Sequence, residues 1–183
     1  KFLYKISIFR KLLQLHADLT PAIVATLSER HASPEECVFV QDAVAQTAVC
    51  TTFGVLVYSS ELLMEPIEVE LGAWLSEAAL WGHWVRVGTL TAKSRARWLD
   101  FDVEQFRLRA QRHTSADVCR VFAAYAQMYA AEVTASGAWL DIVVDASERQ
   151  TLEVLARKAL EQHSWRRRMG LGTHHQSTIA DEV

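Results

Sequence analysis

Glu77 and Arg86, nine residues apart, are the pair in this sequence whose types and spacing best suit chemistry on an anion. Glu77 opens the run Glu77-Ala78-Ala79-Leu80-Trp81, a short helix by composition that Gly82 stops, and Arg86 heads the extended run that follows. The first N–H groups of a helix lack partners within it and carry positive potential, so a helix that opens onto a pocket attracts anions. A neighbouring arginine would add a bidentate donor for a phosphate. On its own the pair also fits two solvated charges or an ordinary ion pair, since most charged residues lie at the surface.

Other chemistries find less support. His16, His31, His83, His113 and His163 share no spacing with a carboxylate or cysteine that would suggest a metal site or a triad, so no catalytic residue and no metal are expected and the chain does not read as an enzyme. Cys37, Cys50 and Cys119 are odd in number, widely spaced and set among apolar residues, which suits buried, reduced thiols of an intracellular protein. A net charge of −3 and a pI near 6.2 argue against nucleic acid as the main partner. No run is long enough to span a membrane, and the amino end lacks a signal-peptide pattern. The chain opens at Lys1 inside a helical pattern and is read as a piece of a longer protein.

The elements that must position Glu77 and Arg86 follow from periodicity. With 183 residues, half of them hydrophobic, the chain suffices for one domain with a real core. Phe2, Leu3, Ile6, Phe9, Leu12 and Leu13 recur at helical spacing between basic residues, and Thr20-Pro21 predicts a capped second helix ending near Arg30. The turn Ser33-Pro34-Glu35-Glu36 then introduces a series of short strands: Cys37–Val40, Ala48–Thr52, Val55–Tyr58, Ile67–Leu71, Val87–Ala92 and Ala96–Phe101. Such close spacing means a sandwich or barrel. Helix returns at Asp102, restarts at Thr114-Ser115-Ala116-Asp117 and ends at Gly137. Trp139–Val144 reads as extended, Ser147 as the cap of a last helix to Arg168, and residues 170–183 as a disordered tail. The fold class is therefore α+β: a small antiparallel, jelly-roll-like β-barrel carrying one short helix, flanked by N-terminal and C-terminal helices. The divisions expected are 1–30 for the leading helices, 31–135 for the barrel domain and 136–169 for a strand and helix extension.

This order resembles the cyclic nucleotide-binding domain. Phe9 with Arg10 looks like the end of the linker helix that precedes this domain in channels, and Ser33 to Phe39 is similar to the family's turn into a barrel strand. Gly54 matches the glycine before the central strand pair, while Gly72, Glu77, Leu80 and Arg86 fall on the phosphate-binding cassette. Thr89 to Phe106 follows the last two strands and the entry to the next helix without a gap. The resemblance covers roughly residues 2 to 135 and is nearest in flavour to the cytoplasmic domain of cyclic nucleotide-regulated and voltage-gated potassium channels, because no helix-turn-helix pattern follows.

The resemblance implies that Glu77 bonds the ribose 2′-hydroxyl, that Arg86 pairs with the cyclic phosphate and that backbone N–H groups of Ala78 and Ala79 complete the phosphate site. Val121, Tyr125 and Met128 lie where a residue of the last helix lids the base, though each also fits the core. Val87 stands where domains favouring cGMP often carry threonine, which implies cAMP ahead of cGMP. Ser76 replaces the family's glycine before the glutamate, and Asp42-Ala43 its glycine-aspartate. A left-handed backbone at Ser76 would cost on the order of 1 kcal/mol. Trp81 and Trp84 either pack the cassette or fill the nucleotide pocket from inside, and Trp165-Arg166-Arg167-Arg168 is either a solvated helix end or a patch for anionic lipid.

The function expected is that of a regulatory module, in the cytoplasm or on the cytoplasmic side of a membrane protein, that couples cyclic nucleotide binding to movement of adjacent helices. Its partners would be the other domains of a larger protein, such as a tetrameric channel. The alternative is a ligand-free homology domain with a structural or assembly role.

Overall fold

The computed structural model describes residues 1–137 and 139–168, with side chains as far as residue 162. A 3-10 turn (Phe2–Lys5) leads into α1 (Ser7–Leu15), which buries Ile8, Phe9, Leu12 and Leu13 on one face as its spacing predicts. The second helix departs from expectation. α2 (Leu19–Val24) has Asp18, not Thr20, at its N-cap and stops well short of Arg30. Residues 27–32 form instead strand β1 (Leu27–Ala32), paired along its whole length with β8 (Ala96–Asp102). Tertiary pairing overrides the local pattern here, and the exposed charges of β1 find cross-strand partners in Arg30–Asp100 and Glu29–Arg97.

The remaining strands are β2 (Cys37–Phe39), β3 (Thr47–Phe53), β4 (Leu56–Ser59), β5 (Ile67–Val69), β6 (Trp74–Leu75) and β7 (Thr89–Ala92). They form two antiparallel four-stranded sheets in the orders β1-β8-β3-β6 and β2-β7-β4-β5. β6 has no signal in the sequence, because two residues are too short to show alternation. Side chains from both sheets, among them Phe39, Val49, Leu56, Tyr58, Leu75 and Leu90, fill the interior of this jelly-roll-like barrel.

A helical layer lies outside the barrel. The cassette helix α3 (Ala78–Trp81) ends at Gly82, α4 (Val103–His113) is capped by Asp102 and α5 (Ala116–Ser136) by Ser115. Gly137, at φ 69°, closes α5 with its N–H on the Val133 carbonyl. α6 (Ala146–Arg168) begins two residues earlier than predicted, and its cap is Asp145 rather than Ser147: the Asp145 carboxylate accepts from the Glu148 N–H at 2.7 Å. Phe9 stands at the centre of the layer, with Trp81, Phe101, Phe106 and Phe122 around its ring. α6 is fastened to α1 through Glu153, whose carboxylate accepts from Ser7 Oγ at 2.7 Å and from Arg10, with Lys11 at 3.5 Å.

One smaller expectation changes. Cys50 is buried, which pushes its thiol up to about 12, whereas Cys37 is exposed and Cys119 half-buried; all three are free. The basic side chains of Trp165–Arg168 and the tail from 170 lie outside the described residues. Among those described, no helix is long and apolar enough to cross a membrane, and no cluster of His, Cys, Asp or Glu is arranged to hold a metal.

Candidate functional site

The cassette forms a short helix as the sequence predicts, but α3 is a single turn, and the Ala79 N–H is taken by the Ser76 carbonyl at 3.0 Å. The convergent donors lie in the loop after it. Val87 and Gly88 direct successive N–H groups to one point, Ser76 Oγ and Trp84 Nε1 approach from the sides, and the Tyr58 hydroxyl arrives from β4.

What they hold is a carboxylate of the same chain. Asp141 Oδ2 accepts from Tyr58 OH at 2.8 Å, the Val87 N–H at 2.8 Å and the Gly88 N–H at 3.0 Å. Its Oδ1 accepts from Trp84 Nε1 at 2.7 Å and Ser76 Oγ at 3.0 Å. The Ser76 N–H donates to the Asp141 carbonyl at 2.6 Å, and the Asp141 N–H to the Tyr58 hydroxyl at 3.3 Å. Five donors on two oxygens is what a buried anion needs to offset desolvation. Burial, reinforced by the Asp141 charge, drives the Tyr58 phenol well above its ordinary range.

Local sequence explains how Asp141 reaches the cassette. The left-handed Gly137 turns the chain back from α5, Trp139 packs on Tyr129 with ring centroids 5.3 Å apart, and Leu140 and Ile142 join the barrel interior. Ile142 forms a bridge with Leu75 at the edge of β6. Ser76 does have a left-handed backbone, at φ 54°. Such a conformation costs on the order of 1 kcal/mol for a residue with a Cβ, and its two hydrogen bonds to Asp141 offset that cost.

The structure does not bring Glu77 and Arg86 onto one ligand position. Arg86 is buried, with its guanidinium 3.9 Å over the Phe39 ring and its NH2 group 3.3 Å from the Thr47 carbonyl. Its Nε has no hydrogen-bond partner among the described residues, and burial lowers its pKa against the opposing pull of Asp141, Asp100 and Cys37. Glu77 faces a cleft of about 500 Å³ whose walls include Lys5, Arg10, Trp74, Val143 and Arg149. Burial raises Glu77 to about 7, the Trp81 Nε1 bond at 3.2 Å acting in the opposite sense.

The other residues singled out by the sequence sort by layer. Ala78 and Ala79 are buried in the helical core, as are Val121 and Tyr125, with Met128 packed against them. Trp81 packs on Phe9, Phe106, Phe122 and Tyr125, which is the packing alternative but against helices rather than the barrel. Trp84 instead reaches Asp141, so the site is filled by the Asp141 segment and not by an indole. Asp141, Tyr58 and Gly88 were not singled out. The one signal for Asp141 was a lone acid inside the apolar run Trp139 to Val144.

Gly88 shows how closely the parts approach. A Cβ there would lie 2.3 Å from the Ser59 carbonyl oxygen and 2.6 Å from the Tyr58 ring. Gly88→Ala is expected to cost about 2 kcal/mol in urea unfolding. Gly82→Ala, whose Cβ would meet nothing within 4 Å, is expected to change stability by less than about 0.5 kcal/mol. Equal losses in both would contradict the tight seat.

No family model matches the sequence, and no curated protein matches it. Solved structures match it in fold. The N-terminal domain of a transcriptional regulator from Streptomyces coelicolor A3(2) aligns over 97% of this chain and 100% of its own, with a TM-score of 0.51 and 10% identity. A protein of Ruegeria pomeroyi described as a cyclic nucleotide binding protein aligns over 74% of this chain and 59% of its own, with a TM-score of 0.51 and 14% identity. A cyclic nucleotide-binding-like protein from Brucella abortus aligns over 57% of this chain and 97% of its own, with a TM-score of 0.45 and 19% identity. The chain has the cyclic nucleotide-binding-like fold.

Proposed function

We propose that this chain is a ligand-sensing regulatory domain of a larger protein, and that its ligand is a cyclic nucleotide bound through its phosphate at the cassette. The observation that carries the reading is the anion cradle of Val87 N–H, Gly88 N–H, Ser76 Oγ, Trp84 Nε1 and Tyr58 OH, since five convergent donors suit phosphate oxygens. Arg86, buried nearby with an unpartnered Nε, would supply the positive charge. Val87 offers no side-chain hydroxyl, in keeping with cAMP ahead of cGMP. The domain has no catalytic role in this reading. As parent we take a transcriptional regulator ahead of the channel expected from the sequence, because a neighbour that aligns with 97% of this chain is a domain of such a protein.

A second reading, the ligand-free structural domain, is favoured by the presence of Asp141 in the cradle itself. Calorimetric titration with cAMP and cGMP separates the two. The regulatory reading expects saturable cAMP binding, weaker cGMP binding, and a loss of at least about tenfold in Arg86→Gln shown to be folded. No heat with either nucleotide, both from the native chain and after the cradle has been emptied by substitution, would leave the ligand-free reading.

A further inference from the structure

We infer that Asp141 is the domain's own tethered ligand, and that its seat in the cassette adds to the Glu153 contacts that fasten α6 to α1, so that an anion entering the cradle loosens α6. The inference rests on the regulatory reading above for the identity of the incoming anion, but not for the contact itself.

Three features support it. First, the polar contacts that seat the segment Trp139–Val144 in the cassette come from one residue, beside the packing of Trp139, Leu140 and Ile142. Among the described residues its pairing to a strand is the single bridge of Ile142 with Leu75, whereas Asp141 makes seven hydrogen bonds to Tyr58, Ser76, Trp84, Val87 and Gly88. Five of those seven bonds end on the carboxylate, and their donors are the ones a competing anion can take.

Secondly, the cradle turns five donors to the carboxylate: two backbone N–H groups, two hydroxyls and an indole N–H. It recognises paired anionic oxygens and has no feature specific to a carboxylate, so a phosphate and Asp141 compete for the same atoms. Tethering gives Asp141 an effective concentration on the order of millimolar, against which a free ligand must bind.

Thirdly, the seat is mechanically coupled to α6. Only Ile142, Val143 and Val144 separate Asp141 from Asp145, the residue that caps α6. A few residues on, Glu153 joins α6 to Ser7, Arg10 and Lys11 of α1. Two seats for one segment give a two-state element that a ligand shifts by its preference for one state.

Asp141→Ala and the milder Asp141→Asn, in the full chain, test this by amide hydrogen exchange and by titration with cAMP and inorganic phosphate. The expected result is that the Val87, Gly88 and Ser76 amides and those of α6 at Leu152, Leu155 and Ala156 exchange roughly tenfold faster or more. The β3–β8 amides should stay protected, which shows that the barrel has folded, and cAMP affinity should rise at least about tenfold over the native chain. Saturating cAMP added to the native chain should likewise speed exchange in α6. If α6 keeps its native protection in both variants and cAMP binds them no better than the native chain, the inference is overturned while the regulatory reading stands. If α6 is released but neither cAMP nor phosphate binds, the tethered-ligand inference stands and the nucleotide reading falls.

Discussion

Phe9→Ala is expected to lower the stability of this domain by about 4 kcal/mol and its Tm by roughly 10 °C. Phe9 is fully buried, and its ring centroid lies 5.7 Å from Trp81, 5.6 Å from Phe101, 5.4 Å from Phe106 and 5.8 Å from Phe122. Those four residues belong to α3, β8, α4 and α5, so one side chain from the leading helix ties the cassette to the barrel and to both following helices. The rings pack edge-on, tilted or, for Phe9–Phe101 and Trp81–Phe122, stacked, and a well-packed cluster of this kind leaves a cavity where the phenyl is removed, which places the cost near the upper end for aromatic truncation. The loss is a large share of the 5–15 kcal/mol by which a domain of this kind is stable. Phe53→Ala is the control: Phe53 is 49% exposed, with Arg97 5.1 Å over its ring, and should cost less than about 1 kcal/mol. Urea denaturation of the two variants decides the matter. A similar midpoint shift in both would mean that α1 does not anchor the cassette.

The second large effect is a dependence of stability on pH through Glu77. Burial raises its pKa in the folded chain to about 7, from an ordinary 4.5. Between those two values the native state therefore holds a proton that the unfolded state has released. The contribution of Glu77 is accordingly most favourable below about pH 4.5, falls as pH rises through the window, and levels off above about 7, the total loss being about 3 kcal/mol. The groups facing Glu77 sharpen this. Tyr125 and Tyr129 are themselves raised well above their ordinary range by burial and stay neutral throughout. Glu153 acts in the opposite sense: despite the opposing effect of its partial burial, bonds from Ser7 and Arg10 hold its pKa below the usual carboxylate value, so its contribution is lost only as pH falls through that lower value. Glu77→Gln keeps an acceptor for Trp81 Nε1 and cannot ionise. It should match the native chain at pH 4.5 and exceed its stability by about 3 kcal/mol at pH 8. A difference between the two proteins that is constant from pH 4.5 to 8 would mean that Glu77 is solvated.

The fold was legible in the sequence to the extent that short-range patterns carry it. Alternating runs such as Ala96 to Phe101, the caps Asp102 and Ser115, and Gly137 at the end of α5 all act through neighbours within a few residues, so their spacing survives in the linear chain. The cassette helix and its stop at Gly82 were legible for the same reason. β1 was not, because Leu27 to Ala32 becomes a strand only by pairing with β8, some seventy residues away. β6 was not, because its two residues are defined by their partners in β3.

For the site, the sequence by itself determined that an anion's donors would gather at the cassette, but it pointed to the Ala78 and Ala79 N–H groups, whereas the convergent pair is Val87 and Gly88. It also located the strain at Ser76, because a side chain there meets a left-handed backbone wherever the glycine of this turn is replaced. Only the tertiary structure decided what the donors hold. Asp141 lies 53 residues from Gly88, 65 from Ser76 and 83 from Tyr58, and no local rule links an acid in one apolar run to amides in another. The physical reason is that a buried charge is tolerated only where enough donors converge on it, and convergence is a property of the packed chain.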